Sequence, residues 1–203
     1  MTNPRSIRKQ GHDYASAGHY FVTLCVRDRD PLLGDIVDGA MRLSDLGKIV
    51  REEWLALPRR FPTVLLDAFT IMPNHMHGIV TIVGVPLAGT LSIDQPHVID
   101  TGDSHATGSD TPTDRAGASP APTLGTIIGA FKSLSDRRCR TTTIPGRPDH
   151  RFGRLWQRGY HDRIVMGNDE LVRIKAYIEG NVRAWRNDPD YVQRHDPFCE
   201  GSD

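Results

Sequence analysis

The sequence predicts an α+β protein with a ferredoxin-like, RRM-like fold, in which an antiparallel sheet carries helices on one face. Short β-branched and aromatic runs are typical of strands, and stretches with helical apolar spacing lie between and after them. The chain begins strand, hairpin, helix, two strands and helix, which is the order that a ferredoxin-like sandwich requires. We expect the other face of the sheet to be free for a ligand.

The first half of the pattern contains a strand, a hairpin and a helix. Residues 19–26 are aromatic and β-branched, and a short hairpin is expected around residues 34–43. Ser44 is suited to cap a helix, because its hydroxyl can accept hydrogen bonds from free backbone N–H groups. Apolar residues at helical spacing predict that helix: Leu46, Ile49, Val50, Trp54 and Leu57.

Two strands follow, at residues 63–72 and 75–83, with a Pro-Asn pair of the turn type between them. A second amphipathic helix is expected after Thr123, again with a hydroxyl cap. Its apolar positions are Leu124, Ile127, Ile128, Phe131 and Leu134. A short strand near Ile164 precedes a last helix, which should begin at Asn168 and end near Trp185.

One segment interrupts this pattern. Residues 84–122 are rich in Gly, Pro, Ser, Thr, Ala and Asp and contain almost no large apolar side chains. Such a segment buries too little surface to offset its ordering entropy, so we expect a flexible insertion. The chain is therefore predicted to be one domain over residues 1–190, interrupted by this insertion and followed by a tail at 191–203.

Composition excludes several classes of protein. No run of eighteen apolar residues is present, so we expect no membrane span, and no apolar segment follows the basic N-terminus as a secretory signal would require. Cys25, Cys139 and Cys199 are odd in number and far apart. They predict no disulfide framework, which fits a reducing cytoplasm.

The formal net charge is zero, yet the charges are unevenly distributed. Residues 131–163 carry nine Lys and Arg side chains against three Asp, whereas the insertion carries five Asp and one Arg. A local basic excess of this kind is suited to phosphate oxygens. We expect six of these cations to contact a nucleic-acid backbone: Lys132, Arg137, Arg138, Arg154, Arg158 and Arg163.

His75 and His77 give the sharpest local signal. Residues two apart in a strand point to the same face, so the two imidazoles should converge in front of the sheet. Two neutral imidazoles can hold a divalent cation if a third ligand joins them. The alternative is an ordinary pair of hydrogen-bonded histidines on a half-buried strand.

The last helix offers partners for that pair. Asn181 falls inside its apolar stripe and Tyr177 lies at the edge, four residues away and on the same side. A buried amide without a partner costs about 1–3 kcal/mol, and a bound metal would satisfy its oxygen. Gly180 in the same helix suggests close approach or flexibility. The alternative is an interfacial tyrosine beside a tolerated asparagine.

Five stretches occur in order along the chain: GHYFVTLCVRDRDPLLG, PNHMHGIV, GAFKSLSDRR, LWQRGYHDRIV and NDELVRIKAYIEGNVRAW. Together they resemble the REP-associated tyrosine transposases, domesticated relatives of the single-tyrosine HUH transposases of insertion sequences. The resemblance covers nearly the whole chain except residues 84–122 and the last dozen. It implies the HUH endonuclease fold, a single-stranded or hairpin DNA partner and a 5′-phosphotyrosine intermediate.

The resemblance also assigns roles to individual residues. Paired histidines bind the catalytic divalent metal in that family, and His75 and His77 match them. The family nucleophile lies on the final helix with a polar metal ligand four residues later, which match Tyr177 and Asn181. The cofactor is then expected to be Mg²⁺ or Mn²⁺, and the protein a monomer or homodimer, with the monomer favoured.

Two positions depart from the family pattern. Val182 stands where a proline usually follows the helix asparagine, and Met166 stands where an arginine usually follows the WQR stretch. The departures concern the end of the last helix and one phosphate contact, and they leave the matched site residues intact.

Three alternatives remain at this point. Tyr160, beside His161 and among arginines, is a rival nucleophile, although its ring would serve equally well for base stacking. A non-catalytic nucleic-acid-binding module could use the same fold. A metal-dependent hydrolase could use the histidines to activate water, and would leave free 5′-phosphate ends instead of a protein–DNA adduct.

Overall fold

The computed structural model describes residues 11–84, 121–142 and 153–188. These residues form six strands and four α-helices, with two single turns of 3-10 helix. In chain order the elements are β1 (Gly18–Cys25), β2 (Gly34–Val37), β3 (Ala40–Leu43), α1 (Asp45–Leu55), α2 (Leu57–Arg60), β4 (Val64–Ile71), β5 (His75–Ile82), α3 (Leu124–Arg140), β6 (His161–Val165) and α4 (Gly167–Ala184). None of the helices in the described part of the chain is long and apolar enough to cross a membrane.

The main sheet has four antiparallel strands in the order β4-β5-β1-β6, and β2 pairs with β3 in a separate hairpin. With that hairpin set aside, the chain follows the βαββαβ order of the ferredoxin-like fold, as the sequence predicts. The two central strands, β1 and β5, pair along their full length, from Gly18 opposite Ile82 to Cys25 opposite His75. A residue on β5 is therefore fixed against a known neighbour on β1.

One face of the sheet contains the hydrophobic core. Val22 and Leu24 on β1 and Met76 and Val80 on β5 are fully buried in the same cluster as the apolar sides of α1 and α3. Gly78 has no side chain because the Trp54 indole of α1 lies against it: an added Cβ would lie 2.5 Å from Trp54 Cζ2. The two helices therefore cover this face.

Strand alternation sends His75 and His77 to the opposite face, together with Phe21. Helix α4 lies across this face: the Tyr177 ring packs edge-on against Phe21, and the 3-10 turn after α4 brings Trp185 to within 5.9 Å of the His75 ring, measured between ring centroids. The expectation of a free second face is thus wrong in one respect, because α4 covers part of it.

Both predicted helix caps are present. The Ser44 hydroxyl accepts from the backbone N–H of Gly47 at 3.1 Å, and the Thr123 hydroxyl accepts from that of Thr126 at 3.2 Å. Each hydroxyl satisfies a backbone donor that the first turn of a helix leaves free.

Some boundaries differ from the expected ones. Helix α1 ends at Leu55, so Leu57 belongs to the separate turn α2, because the ring of Pro58 would clash with the carbonyl of residue 54 in a continuous helix. Strand β6 begins earlier than expected, at His161. Helix α4 begins at Gly167, where the Glu170 carboxylate accepts from the N–H of Met166 at 2.6 Å.

The residues between α3 and β6 that the structure describes form a loop, 153–160, attached to the end of β1. Trp156 forms an isolated antiparallel bridge with Val26, and the N–H of Gln157 donates to the Cys25 carbonyl at 2.9 Å. The loop therefore pairs with the end of β1 just before β6 begins, on the same side of β1 as β6.

Three sequence expectations fall partly or wholly outside the described residues. Most of the predicted insertion at 84–122 lies there, as do the tail at 191–203 and Cys199. Cys25 and Cys139 are buried, and burial raises the pKa of both thiols.

Candidate active site

His75 and His77 meet in front of the sheet, at the point where β5 begins. Both side chains are buried, with His75 fully enclosed. Their Nε2 atoms lie 3.1 Å apart. Alternation along β5 thus brings the two imidazoles together, as the His-Met-His spacing predicts.

The residue before the pair fixes the proton of His75. Asn74 donates from Nδ2 to the Arg29 carbonyl at 3.1 Å, which turns its Oδ1 toward His75 Nδ1 at 2.8 Å. An amide oxygen only accepts, so His75 must carry its proton on Nδ1. The lone pair of His75 Nε2 therefore faces His77.

His77 can take either tautomer. Its Nδ1 lies 2.8 Å from Thr23 Oγ1, and a hydroxyl can donate or accept. In the absence of a cation, Nε2–H of His77 can donate to His75 while Thr23 donates to Nδ1. If the proton moves to Nδ1, where Thr23 accepts it, both Nε2 lone pairs face one point. Two facing lone pairs at this distance repel, and a cation between them removes that repulsion.

Both imidazoles are neutral at physiological pH. Burial, with the Arg29 charge as a smaller cause, lowers the pKa of His75 to about 4. Burial, with His75 as a smaller cause, lowers the pKa of His77 to about 3. Neutral imidazole is the form that binds metal ions, so the pair retains its ligand atoms over the physiological range.

Asn181 is on α4, facing the histidine pair. Tyr177 and Trp185, one turn before and one turn after it, contact His77 and His75 respectively, so Asn181 lies between those contacts. The Asn181 residue is only 2% exposed. Its Oδ1 is buried and has no hydrogen-bond partner among the described residues. This orphaned acceptor therefore belongs to the helix face whose neighbouring turns contact the two histidines.

Tyr177 lies at the open edge of the same group. Its hydroxyl is 3.3 Å from His77 Nε2, and its ring packs against those of His77 and Phe21. About half of the residue (49%) remains exposed. The phenol oxygen is therefore directed at His77, while about half of the tyrosine faces solvent.

A carboxylate that the sequence analysis did not identify completes the group. Asp188 follows the 3-10 turn after α4, and its Oδ2 lies 3.9 Å from His75 Nε2. Burial raises the pKa of Asp188 above its ordinary value. The residue comes from an irregular segment, where no periodicity indicates the direction of a side chain, although a carboxylate just beyond the helix with Tyr177 and Asn181 was a usable signal.

The chemistry of this group fits a divalent metal. One ligand atom from each of His75, His77 and Asp188 lies within 4.8 Å of the others. Two neutral imidazoles and one carboxylate form a mixed nitrogen and oxygen donor set. These residues could therefore hold a metal ion.

The six predicted DNA contacts differ in their surroundings. Arg154 and Arg158 are exposed on the 153–160 loop, and Arg137 is exposed on α3. Arg138 instead pairs with Glu52 at 2.7 Å and Glu53 at 2.9 Å, and Arg163 pairs with Glu170. Lys132 donates from Nζ to the Gln157 and Gly159 carbonyls. The exposed arginines of the loop are therefore the most accessible of the six.

The rival nucleophile Tyr160 lies elsewhere. It lines a cavity between α3 and the 153–160 loop and packs partly against the core, whereas Tyr177 contacts His77. Of the two tyrosines, Tyr177 is the one whose hydroxyl is hydrogen-bonded to the histidine pair.

Comparisons with known proteins place the chain among relatives. No protein-family model matches it. An uncharacterized protein of Haemophilus influenzae Rd is 32% identical over 188 residues, which is 93% of both chains. A solved structure of a REP-associated tyrosine transposase bound to a REP hairpin superposes with a TM-score of 0.50, at 15% identity, over 86% of this chain and 72% of that one.

The sequence similarity and the structural similarity support different conclusions. The identity to the Haemophilus influenzae protein extends over nearly the full length of both chains, so it shows common descent. The likeness to the solved transposase, at low identity, shows a common fold. The chain therefore belongs to the family of the Haemophilus influenzae protein, and its fold is similar to that of a REP-associated tyrosine transposase.

Proposed function

We propose that the protein cuts and rejoins single-stranded DNA at hairpin or palindromic repeats, with a divalent metal and a 5′-phosphotyrosine intermediate. The observation that carries this proposal is the position of the Tyr177 hydroxyl, 3.3 Å from one of two buried, neutral histidines whose Nε2 atoms face each other. A nucleophile and a cation site within contact distance are what phosphoryl transfer to an enzyme requires.

The metal would be held by His75, His77 and Asn181, with Asp188 as a further ligand. When bound, it would polarise the scissile phosphate and stabilise the charge on its oxygens. Mg²⁺ or Mn²⁺ is proposed, and Mn²⁺ suits the two imidazoles better because Mg²⁺ prefers oxygen ligands.

Tyr177 would carry the covalent step. Its phenol gives up its proton, the phenol oxygen attacks the phosphorus, and the bond from phosphorus to the 3′-oxygen breaks. The 3′-oxygen takes up one proton and leaves as a 3′-hydroxyl, so the proton lost by the tyrosine is balanced. The 5′-phosphate stays on the tyrosine. One phosphoester replaces another, so the 3′-hydroxyl can later reverse the reaction without an external energy source.

The proposal includes the arrangement of the chain. The Tyr177 hydroxyl and His77 Nε2 lie within hydrogen-bonding distance in one chain, and we propose a monomer as the cleaving species. The hairpin as substrate is supported by the solved transposase of the same fold, which is described as bound to a REP hairpin. Arg137, Arg154 and Arg158 are exposed and would bind the DNA backbone.

Adduct trapping tests the proposal. The purified chain is incubated with pooled single-stranded hairpin DNA and Mn²⁺ and then separated on a denaturing gel. We expect a shifted, protease-sensitive band that disappears with chelator and in Tyr177→Phe and persists in Tyr160→Phe.

The other outcomes separate the alternatives. An adduct that survives in Tyr177→Phe would assign the nucleophile elsewhere. Free 5′-phosphate ends without an adduct would indicate a hydrolase. Intact DNA binding without any cleavage would indicate a binding module on this fold.

A further inference from the structure

A second candidate binding site lies away from the histidine pair, between α3 and the 153–160 loop. A cavity of about 500 Å³ opens there, which we call the loop cavity. Its wall on the α3 side includes Gly129 and Lys132, and its loop side includes Arg154, Arg158 and Tyr160. Its volume lies within the range of about 300–1,000 Å³ that is typical of small-ligand sites.

The loop side of the cavity is held in place by hydrogen bonds. Lys132 Nζ donates to the Gln157 carbonyl at 2.5 Å and to the Gly159 carbonyl at 2.6 Å. The Trp156 indole donates to Ser135 Oγ at 2.9 Å, which ties the loop to α3 a second time. The cavity is therefore formed before a ligand arrives, and little ordering entropy remains for binding to overcome.

The rim of the cavity is cationic. Arg154 and Arg158 are exposed, and neither is paired with a carboxylate of the described residues. Both also line an adjoining cavity of about 410 Å³, which extends to Arg27 and Asp28 at the end of β1. A guanidinium at such a rim binds phosphate oxygens with two parallel hydrogen bonds.

The interior of the cavity is suited to a base. Tyr160 presents a half-buried aromatic ring, and rings of this kind stack on nucleic-acid bases of any sequence. Gly129, on the opposite wall, has no neighbour among the described residues within 4 Å of where a Cβ would lie, so they leave the space beside α3 open. An aromatic ring, an open wall and two free guanidiniums together match one nucleotide with its phosphates.

The loop also connects the cavity to the histidine pair. The Gln157 N–H donates to the Cys25 carbonyl, and Cys25 lies opposite His75 in the sheet. Two strand spacings, about 10 Å, therefore separate the loop from the strand that carries the histidines. The cavity opens on the α3 side of the sheet and Tyr177 lies on the other side, so a single strand that meets both has to pass around the edge of the sheet.

We propose that the loop cavity is a nucleotide subsite, which binds one unpaired nucleotide of the same DNA strand whose phosphate meets Tyr177. The proposal rests on the proposed function for the identity of the strand. It adds a fixed point outside the cleavage site, so the distance between the two points would set which phosphate is cut.

The test measures DNA binding by the full-length chain. The probe is a fluorescein-labelled DNA hairpin with eight unpaired nucleotides on each side, chosen as the tightest binder from a pool randomised in those nucleotides. Arg158→Ala should raise its Kd by about tenfold, the loss expected for a phosphate-binding guanidinium. Arg59→Ala is the matched control, because Arg59 is exposed on α2 and does not line the cavity. It should change the Kd by less than about twofold.

A second variant separates the cavity from its charge. Gly129→Leu fills the space beside α3 without altering any charge, and it favours the helix because leucine has the higher propensity. In the parent chain, an abasic substitution at one unpaired position should raise the Kd, whereas the same substitution should have little further effect in Gly129→Leu. Two results would overturn the proposal. One is a Kd of Gly129→Leu equal to that of the parent, and the other is an abasic substitution that raises the Kd of Gly129→Leu by as much as it raises the Kd of the parent.

Adduct formation by the parent chain keeps the two proposals apart. If the parent forms the Tyr177 adduct while Arg158→Ala and Gly129→Leu bind the probe as Arg59→Ala does, the nucleotide subsite is wrong and the cleavage proposal stands. If the parent forms no adduct, but the abasic substitution raises the Kd of the parent and has little further effect on that of Gly129→Leu, the cleavage proposal is wrong and the subsite stands.

Discussion

Whether the side-chain oxygen of Asn181 has a partner depends on a bound cation. In the chain alone, its Oδ1 is buried without a partner among the described residues. A buried acceptor in this state costs about 1–3 kcal/mol of folding stability. Functional sites often carry such a cost, because the group is kept for a ligand and not for the fold.

Asn181→Leu should therefore change stability and metal affinity in opposite directions. Leucine has a similar volume and no polar atom, so the free energy of unfolding in chelator should rise by about 1–3 kcal/mol. Affinity for Mn²⁺ should fall by about tenfold or more, because a ligand oxygen is lost. Urea unfolding and calorimetric Mn²⁺ titration measure the two effects. A variant that is less stable and binds Mn²⁺ normally would show that the amide has a structural role.

The histidine pair makes the stability of the metal-free chain depend on pH. Burial lowers the pKa values of His75 and His77 to about 4 and about 3, whereas an unfolded histidine titrates near 6.5. Between these values the unfolded state binds more protons than the folded one, so stability rises with pH. The stability that the neutral pair contributes is present above pH 6.5 and is lost as pH falls toward 4.

Urea midpoints measured in chelator at pH 7 and pH 4.5 test this. We expect a lower midpoint at pH 4.5, and a smaller decrease in His75→Gln, which cannot be protonated. His161→Gln is the control, because His161 is exposed on β6 and should leave the decrease unchanged. An equal decrease in His75→Gln and the parent would contradict the buried, neutral state of the pair.

At the scale of elements, α4 and β5 define the site. Gly180 lies on the exposed side of α4, and no described residue comes within 4 Å of an added Cβ there. Of the two expectations for this glycine, close approach is thus wrong within the described part of the chain, and flexibility stays a prediction. Gly78 on β5 is different, because the Trp54 indole occupies the space that its side chain would need.

Alanine at these two glycines should act in opposite directions. Gly180→Ala should stabilise the protein by about 0.5–1 kcal/mol, because alanine restricts the unfolded chain and favours a helix. Gly78→Ala should destabilise it by about 1–3 kcal/mol through overpacking against Trp54. Urea unfolding measures both. Destabilisation by Gly180→Ala would mean that the exposed side of α4 is in contact with another part of the chain.

The elements could be predicted because each follows from local chemistry. Alternation along β5 placed His75 and His77 on one face, and a polar residue inside an apolar helical stripe singled out Asn181. Asp188 could not be found in the same way, because it follows the last turn, where only the tertiary path sets the direction of a side chain. The end of α1 was missed for another reason: the apolar stripe continues to Leu57, although Pro58 prevents the helix from doing so.

At the scale of the whole molecule, charge is separated along the chain. The net charge is zero, but the exposed arginines of the 153–160 loop and of α3 provide a basic surface. Backbone binding of this kind orients a strand without reading its sequence. In this account the basic surface would hold the strand, the loop cavity would set its register, and Tyr177 would meet the phosphate beside the metal.

Identification of the DNA-linked peptide by mass spectrometry tests this account most directly. After reaction with hairpin DNA and Mn²⁺, trypsin and a nuclease would leave a short nucleotide remnant on one peptide. Cleavage after Lys175 and Arg183 yields residues 176–183, which contain Tyr177, whereas cleavage after Arg158 and Arg163 yields residues 159–163, which contain Tyr160. The account predicts the remnant on 176–183. A remnant on 159–163, or none on either peptide, would contradict it.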